Sequence, residues 1–163
     1  MFKLDCIKNM TIEQKYRYML NLLQGQLSSE KDVLANLCNA SAIINVIFHD
    51  INWAGFYLLK NSELVLGPFQ GLPACNRIKL GAGVCGTAVE SKAVQRVYNV
   101  HDFEGHIACD CATNSEIVLP IEVNGEIFGV LDIDSPIVGR FTELEEKYLI
   151  KFVQMLEEYF NKN

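Results

Sequence analysis

No stretch of the 163-residue chain approaches the roughly 20 consecutive apolar residues of a membrane-spanning helix, so no membrane association through such a helix is expected. Basic charge is in short supply as well: 14 Lys and Arg stand against 20 Asp and Glu, a formal net charge of −6. A nucleic-acid binder needs a basic face to neutralise phosphates, so this balance argues against nucleic acid and for small molecules or protein partners. The start of the chain, Met1-Phe2-Lys3-Leu4-Asp5-Cys6, carries an acid early and lacks the apolar run, about 7 to 15 residues, of a signal peptide. A cytoplasmic location is therefore expected. There the six cysteines read as reduced thiols, and a disulfide is more often transient and catalytic than structural. The chain also lacks repeats, low-complexity tracts and any sign of a second domain. Half of it is apolar and 21% is charged, which suits one globular domain over residues 1–163 with a core at about 11–160. Such a chain buries roughly two-thirds of its unfolded surface and needs no disulfide staple.

Thr11 with Gln14 forms a capping-box pattern, and Ile12, Tyr16, Met19, Leu20 and Leu23 recur at helical spacing, predicting a first helix over residues 12–24. After a break at Gly25-Gln26-Leu27-Ser28, Ser29 can cap a second helix with Val33, Leu34, Leu37, Ala40, Ile44, Ile47 and Phe48 on its apolar face. Ile51 to Leu59 and Leu64 to Leu66 read as strands joined at Asn61-Ser62. Gly and Pro crowd the stretch from Gly67 to Gly86, which predicts mostly loop, with a short strand at Arg77 to Leu80 and a helical turn near Thr87 to Ser91. Val94 to Val100 is a further strand. Glu116 to Val123 and Glu126 to Ile133 flank Asn124-Gly125, which suits a type I′ hairpin turn. Thr142 with Glu145 caps a last helix carrying Leu144, Tyr148, Ile150, Phe152, Val153, Leu156 and Phe160. This order predicts an α+β fold: a central antiparallel sheet, N- and C-terminal helices on one face, and a loop-covered ligand pocket on the other.

The chemistry concentrates between His106 and Glu116, where two thiols, an imidazole and two carboxylates sit on a loop just before the apolar run Ile117-Val118-Leu119-Pro120-Ile121. Cys75 in Leu72-Pro73-Ala74-Cys75 and Cys85 in Gly83-Val84-Cys85-Gly86 lie in turn-forming sequence, where thiols are reachable by solvent and by each other. Cys38, inside the second helix, reads as a small core or boundary residue, and Cys6 as part of a frayed terminus. Asp132 and Asp134 alternate with Leu131 and Ile133, so both carboxylates face one side of the sheet. With Glu116 they converge on the pocket face if the hairpin register holds. Three carboxylates in a concave site cannot all stay ionised cheaply, so at least one should carry a proton at neutral pH. The alternative is a solvated acidic strand end. Trp53 and Tyr57, four apart on a strand, share a face, as pocket wall or as plain core.

The Asn124-Gly125 turn feeding Phe128-Gly129-Val130-Leu131-Asp132-Ile133, in this architecture, resembles a GAF domain, a family whose pocket binds small molecules. Asn52-Trp53-Ala54-Gly55-Phe56-Tyr57, Gly67-Pro68-Phe69-Gln70-Gly71, Pro73-Ala74-Cys75, Gly83-Val84-Cys85-Gly86-Thr87-Ala88, His106-Ile107-Ala108-Cys109-Asp110 and Asn114-Ser115-Glu116-Ile117-Val118 resemble, more narrowly, the free methionine-R-sulfoxide reductases. A GAF fold alone says little of function, whereas the three-cysteine pattern is specific. The resemblance implies thiol-dependent reduction of free L-methionine-(R)-S-oxide through a cysteine sulfenic acid and an intramolecular disulfide, recycled by thioredoxin or another dithiol, with no bound cofactor and no metal. It assigns the attacking thiolate to Cys109, the resolving thiol to Cys75 and a third, alternative resolving position to Cys85. It also matches Trp53 and Tyr57 to an aromatic wall for the S-methyl group. Cys111 departs from the family pattern and reads as a bystander rather than a second nucleophile.

The reaction needs a thiolate to attack sulfur, an acid to protonate the departing oxygen and a second thiol to collapse the sulfenic acid. Glu116, Asp132 and Asp134 are the candidates for that acid, and a remaining anion could hold the ammonium of a free amino acid. A homodimer is left open. Two other readings use the same residues. A noncatalytic GAF sensor of a nucleotide or other metabolite would use the pocket without needing three loop cysteines. A zinc site could draw on His106, Cys109, Cys111 and Cys85, although Cys-x-Cys is not the usual ligand spacing and no second pair repeats it. Gly71, Gly81 and Gly83 further predict a lid over residues 69–86, open when reduced and locked over the site by a disulfide between Cys75 and Cys109.

Overall fold

The computed structural model describes residues 7–107 and 110–162. Two antiparallel hairpins supply the middle of a six-stranded sheet. The first joins β1 (Trp53–Lys60) to β2 (Glu63–Gly71), the second β5 (Ser115–Val123) to β6 (Glu126–Ser135) through Asn124-Gly125, both at positive φ as a type I′ turn requires. Strand β1 pairs with β6, and short edge strands β3 (Arg77–Lys79) and β4 (Gln95–Val97) complete the order β3-β2-β1-β6-β5-β4. Helices α1 (Ile12–Ser29), α2 (Val33–Ile47) and α4 (Glu143–Phe160) pack on one face, and α3 (Gly83–Ser91) on the other. The expected α+β architecture holds. Among the described residues no helix is long and apolar enough to cross a membrane.

Alternation along the strands decides which residues meet. Ala54, Phe56, Ile117, Leu119, Ile121, Leu131 and Ile133 point at the three long helices and join Met19, Leu23, Leu37, Ile44, Phe152 and Leu156 in the main core. The intervening positions Trp53, Tyr57, Val118 and Val130 form a smaller cluster with Val84, Cys85 and Ala88 of α3. Glu116, Asp132 and Asp134 have this second parity, so the register that builds the core also delivers the carboxylates to the opposite face.

Several boundaries differ from the sequence expectation for physical reasons. Helix α1 runs through Gly25 to Ser29, because Leu27 continues the buried stripe of Tyr16, Met19 and Leu23. Asp32 rather than Ser29 caps α2, its carboxylate accepting the Ala35 amide at 2.8 Å. Strand β2 continues through Pro68 because Pro68 falls at the register shift between β1 and β2, where it has no paired residue, and β3 pairs only with Glu63 to Val65. The stretch expected to be mostly loop instead holds the end of β2 and the whole first half of α3. The predicted lid shrinks accordingly. Phe69 and Gly71 belong to the sheet, and a Cβ on Gly86 would lie 2.4 Å from the Lys79 carbonyl oxygen, so α3 is seated directly on the end of β3. Residues 72–76 join β2 to β3 outside any helix or strand.

Candidate active site

A small recess opens between α3, the segment around Ala74, the residues His106, Ile107, Asp110 and Thr113, and the pocket face of β1, β5 and β6. Its floor is aromatic. Trp53 and Tyr57 are both buried and stack at 5.8 Å between ring centroids, and Trp53 stacks in turn on Phe69 at 5.3 Å. Gly55 between them makes this possible: a Cβ there would stand 2.7 Å from Cη2 of Trp53 and 2.3 Å from Cβ of Phe69. Both expected aromatic residues therefore line the recess, and they are also packed into the smaller core.

The three expected carboxylates do converge. Glu116 lies opposite Asp134 across β5 and β6, and Asp134 lies opposite Trp53 across β6 and β1. Burial, then the nearby Asp132 and Asp134 charges, holds the Glu116 carboxyl well above its usual range. Asp134 is likewise raised well above its usual range, by burial and then by Asp132 and Asp110. Asp132 is pushed up to about 7 by burial, against weaker opposing hydrogen bonds from Cys85 and Glu116. The cluster is thus held largely protonated at neutral pH, with Asp132 poised to ionise there. Burial lowers His106, helped by the His101 charge, so its ring is neutral where it approaches Glu116 Oε2 at 3.7 Å.

The cysteines divide sharply. Cys75 is disulfide-bonded, while Cys38, Cys85 and Cys111 are free thiols. Cys109, the expected nucleophile, lies outside the described residues, as does Cys6. Cys85 corrects the sequence reading. It is not a loop thiol reachable by solvent but a buried residue in the first turn of α3, its Sγ 4.0 Å from Glu116 Oε1. Burial, then Asp132 and Glu116, pushes that thiol well above its normal range and keeps it protonated. Cys111 is exposed and does not line the recess, so among the described residues His106, Cys111 and Cys85 do not come together, and Cys109, the fourth ligand of the zinc reading, lies outside them. The one group of three metal-type ligands among the described residues is Cys85, Glu116 and Asp132.

Two anchoring contacts were not legible in the sequence. Asn52, just before β1, donates from Nδ2 to Asp110 Oδ2 at 2.9 Å and to Thr113 Oγ1 at 3.0 Å, tying down the segment that follows Cys109. The Tyr57 hydroxyl donates to the Cys75 carbonyl oxygen at 3.0 Å, tying the aromatic floor to the segment that carries the disulfide. Among the described residues, Trp53 Nε1 and Asp132 Oδ1 are buried without a hydrogen-bond partner. The recess therefore offers a ligand one free donor and one free acceptor beside its aromatic floor.

Residues 32–158 match the family model of the GAF domain. Over 132 residues the chain is 57% identical to the free methionine-R-sulfoxide reductase of Escherichia coli (strain K12), covering 81% of this chain and 80% of that protein. Among solved structures, the reduced form of fRMsr of Staphylococcus aureus matches with a TM-score of 0.86 at 46% identity, over 89% of this chain and 94% of that one. The free methionine-R-sulfoxide reductase of Neisseria meningitidis in complex with its substrate matches with a TM-score of 0.90 at 38% identity, over 94% and 92% of the two chains.

Proposed function

The chain belongs to the GAF-domain family and, within it, to the free methionine-R-sulfoxide reductases, and on that premise we propose that it reduces free L-methionine-(R)-S-oxide to methionine with Cys109 as the attacking thiolate. The thiolate attacks the sulfoxide sulfur as a carboxyl proton passes to the oxygen. The S–O bond breaks and the hydroxyl passes to the Cys109 sulfur, displacing methionine and leaving Cys109 as a sulfenic acid. The Cys75 thiol then attacks that sulfur, water departs and a disulfide closes between the two residues. A thioredoxin-type dithiol, in a cytoplasmic setting, returns both to thiols by exchange. No prosthetic group takes part in these steps.

The observation that carries this reading is the carboxyl cluster facing the aromatic floor, with Asp132 pushed up to about 7. A proton that is present at neutral pH yet easily given up is what cleavage of the S–O bond requires. Glu116 and Asp134 complete the acid set, and a carboxylate left ionised would hold the substrate ammonium. Trp53 and Tyr57 would enclose the S-methyl group. Cys75, already disulfide-bonded, is the resolving residue, and the depth of Cys85 beside Glu116 suits it less well to exchange with an external dithiol.

The test is consumption of free methionine-R-sulfoxide and of its S epimer with thioredoxin as reductant, alongside peptide mapping of the nonreduced protein. Loss of the R epimer alone and a Cys75–Cys109 peptide pair are expected. No turnover of either epimer would overturn the assignment.

A further inference from the structure

We propose that the recess is also an inhibitory site for a thiophilic divalent cation of the zinc class, bound by Sγ of Cys85 and one carboxylate oxygen each from Glu116 and Asp132. The three residues come from α3, β5 and β6, so three separate elements aim their ligand atoms at one point. All are buried, at 4%, 6% and 6% exposure, and their ligand atoms lie within 4.8 Å of one another. A tetrahedral zinc site with Zn–S of about 2.3 Å and Zn–O of about 2.0–2.2 Å places neighbouring ligand atoms roughly 3.3–3.7 Å apart. The Cys85 to Glu116 separation of 4.0 Å is already close to that spacing. Rotation of the carboxylates can supply the remaining closure, about 1 Å at the widest pair, since their χ torsions are soft.

A second observation points to a ligand at the same place. Asp132 Oδ1 is buried in this group and has no hydrogen-bond partner among the described residues. An acceptor in that position is satisfied by a cation as well as by a donor. The donor set also selects the ion. A thiolate with two carboxylates in a confined recess suits zinc or cadmium, whereas magnesium and calcium require six or more oxygens and retain water. Binding releases the protons of the ligating groups to solvent and leaves the fourth position facing the recess. The occupied carboxyls can no longer give a proton to a sulfoxide, so the cation blocks turnover. The inhibition, though not the binding, rests on the function proposed above.

Trp53 is the only tryptophan of the chain and lies in the recess, so its fluorescence reports this site alone. The experiment titrates the full chain in its disulfide form, where Cys75 is unavailable as a ligand, with zinc against a chromogenic zinc indicator. One equivalent bound at micromolar concentration or tighter is expected, with a Trp53 response that magnesium does not reproduce. Cys85→Ser and Asp132→Asn should each weaken binding more than tenfold, and Cys111→Ser and Cys38→Ser should leave it unchanged. Because the buried variants can fail to fold, X-ray absorption of the zinc-loaded wild type is the second measurement. One sulfur at about 2.3 Å with the remaining neighbours oxygen or nitrogen is expected. Absence of binding, unaltered affinity in a folded Cys85→Ser variant, loss in Cys111→Ser, or a shell with no sulfur or with two would each overturn the proposal. A pre-reduced, desalted sample then gives a single turnover that zinc should suppress and excess sulfoxide restore. Suppression that sulfoxide does not relieve would overturn the shared site, and a protein inert toward sulfoxide without zinc would refute only the enzymatic reading.

Discussion

Replacing Asp132 by Asn should make the protein more stable at alkaline pH and a poorer enzyme. In the fold the carboxyl titrates at about 7 against an ordinary value of 3.8, chiefly because burial disfavours its charge. The native state therefore holds a proton that the unfolded chain loses above about pH 4. Stability is fully present below the unfolded value and falls as pH rises through the folded one. At about 1.4 kcal/mol per pH unit of difference, ionising Asp132 costs on the order of 4 kcal/mol by pH 8 and about 2 kcal/mol at pH 5. An Asn side chain of nearly the same shape carries no such cost, so the variant should gain roughly 2–3 kcal/mol on the wild type between the two pH values. The gain appears in the same sense at Glu116 and Asp134, because the Asp132 charge raises both of them. Urea unfolding of both proteins in the disulfide form, at pH 5 and pH 8, measures it. Reductase efficiency measured in parallel should fall more than about tenfold, or roughly 1.4 kcal/mol of transition-state stabilisation. A stability difference independent of pH, or a less stable variant at pH 8, would show that Asp132 is ionised in the fold without cost and would remove the proton source from the mechanism.

Cys109→Ser should abolish reduction even with dithiothreitol, because no sulfur is left to become the sulfenic acid, and retained turnover in single-turnover assays would move the nucleophile elsewhere. Cys75→Ser should spare one turnover but slow recycling by thioredoxin, and equal steady-state rates for variant and wild type would remove Cys75 as the resolving residue. Tyr57→Phe deletes the bond to the Cys75 carbonyl oxygen and keeps the ring, so methionine formation in a single turnover should change little while disulfide closure, followed by loss of free thiol, slows. An unchanged closure rate would mean that the segment is positioned without that hydroxyl. Gly55→Ala introduces a Cβ that would stand 2.3 Å from Cβ of Phe69, and thermal unfolding should show a loss of about 1–3 kcal/mol together with altered Trp53 fluorescence.

What the sequence revealed of this site came through periodicity. The parity of Leu131 and Ile133 against Asp132 and Asp134 is a local fact, and the Asn124-Gly125 turn fixes which residue of β5 each one faces. Two carboxylates and two aromatics could thus be placed on a single face before any contact was seen. Cys85 escaped the same reasoning because its environment depends on how α3 is seated. Ala82 offers no side-chain cap, and the glycines that suggested flexibility are instead small enough to let α3 rest against the end of β3. A glycine-rich segment can signify motion or close approach, and only the partner surface decides which. Asn52 gave no signal for a related reason: its partners, Asp110 and Thr113, follow it by about sixty positions and meet it only when the sheet forms. Long-range side-chain ties leave no periodic trace, yet they anchor two segments that line the recess, Asn52 through Asp110 and Thr113, and Tyr57 through the Cys75 carbonyl oxygen. Reactive groups therefore announce themselves by residue type, while the groups that set their spacing do not. For that reason the Tyr57→Phe measurement probes a part of the mechanism that sequence reading alone would not have raised.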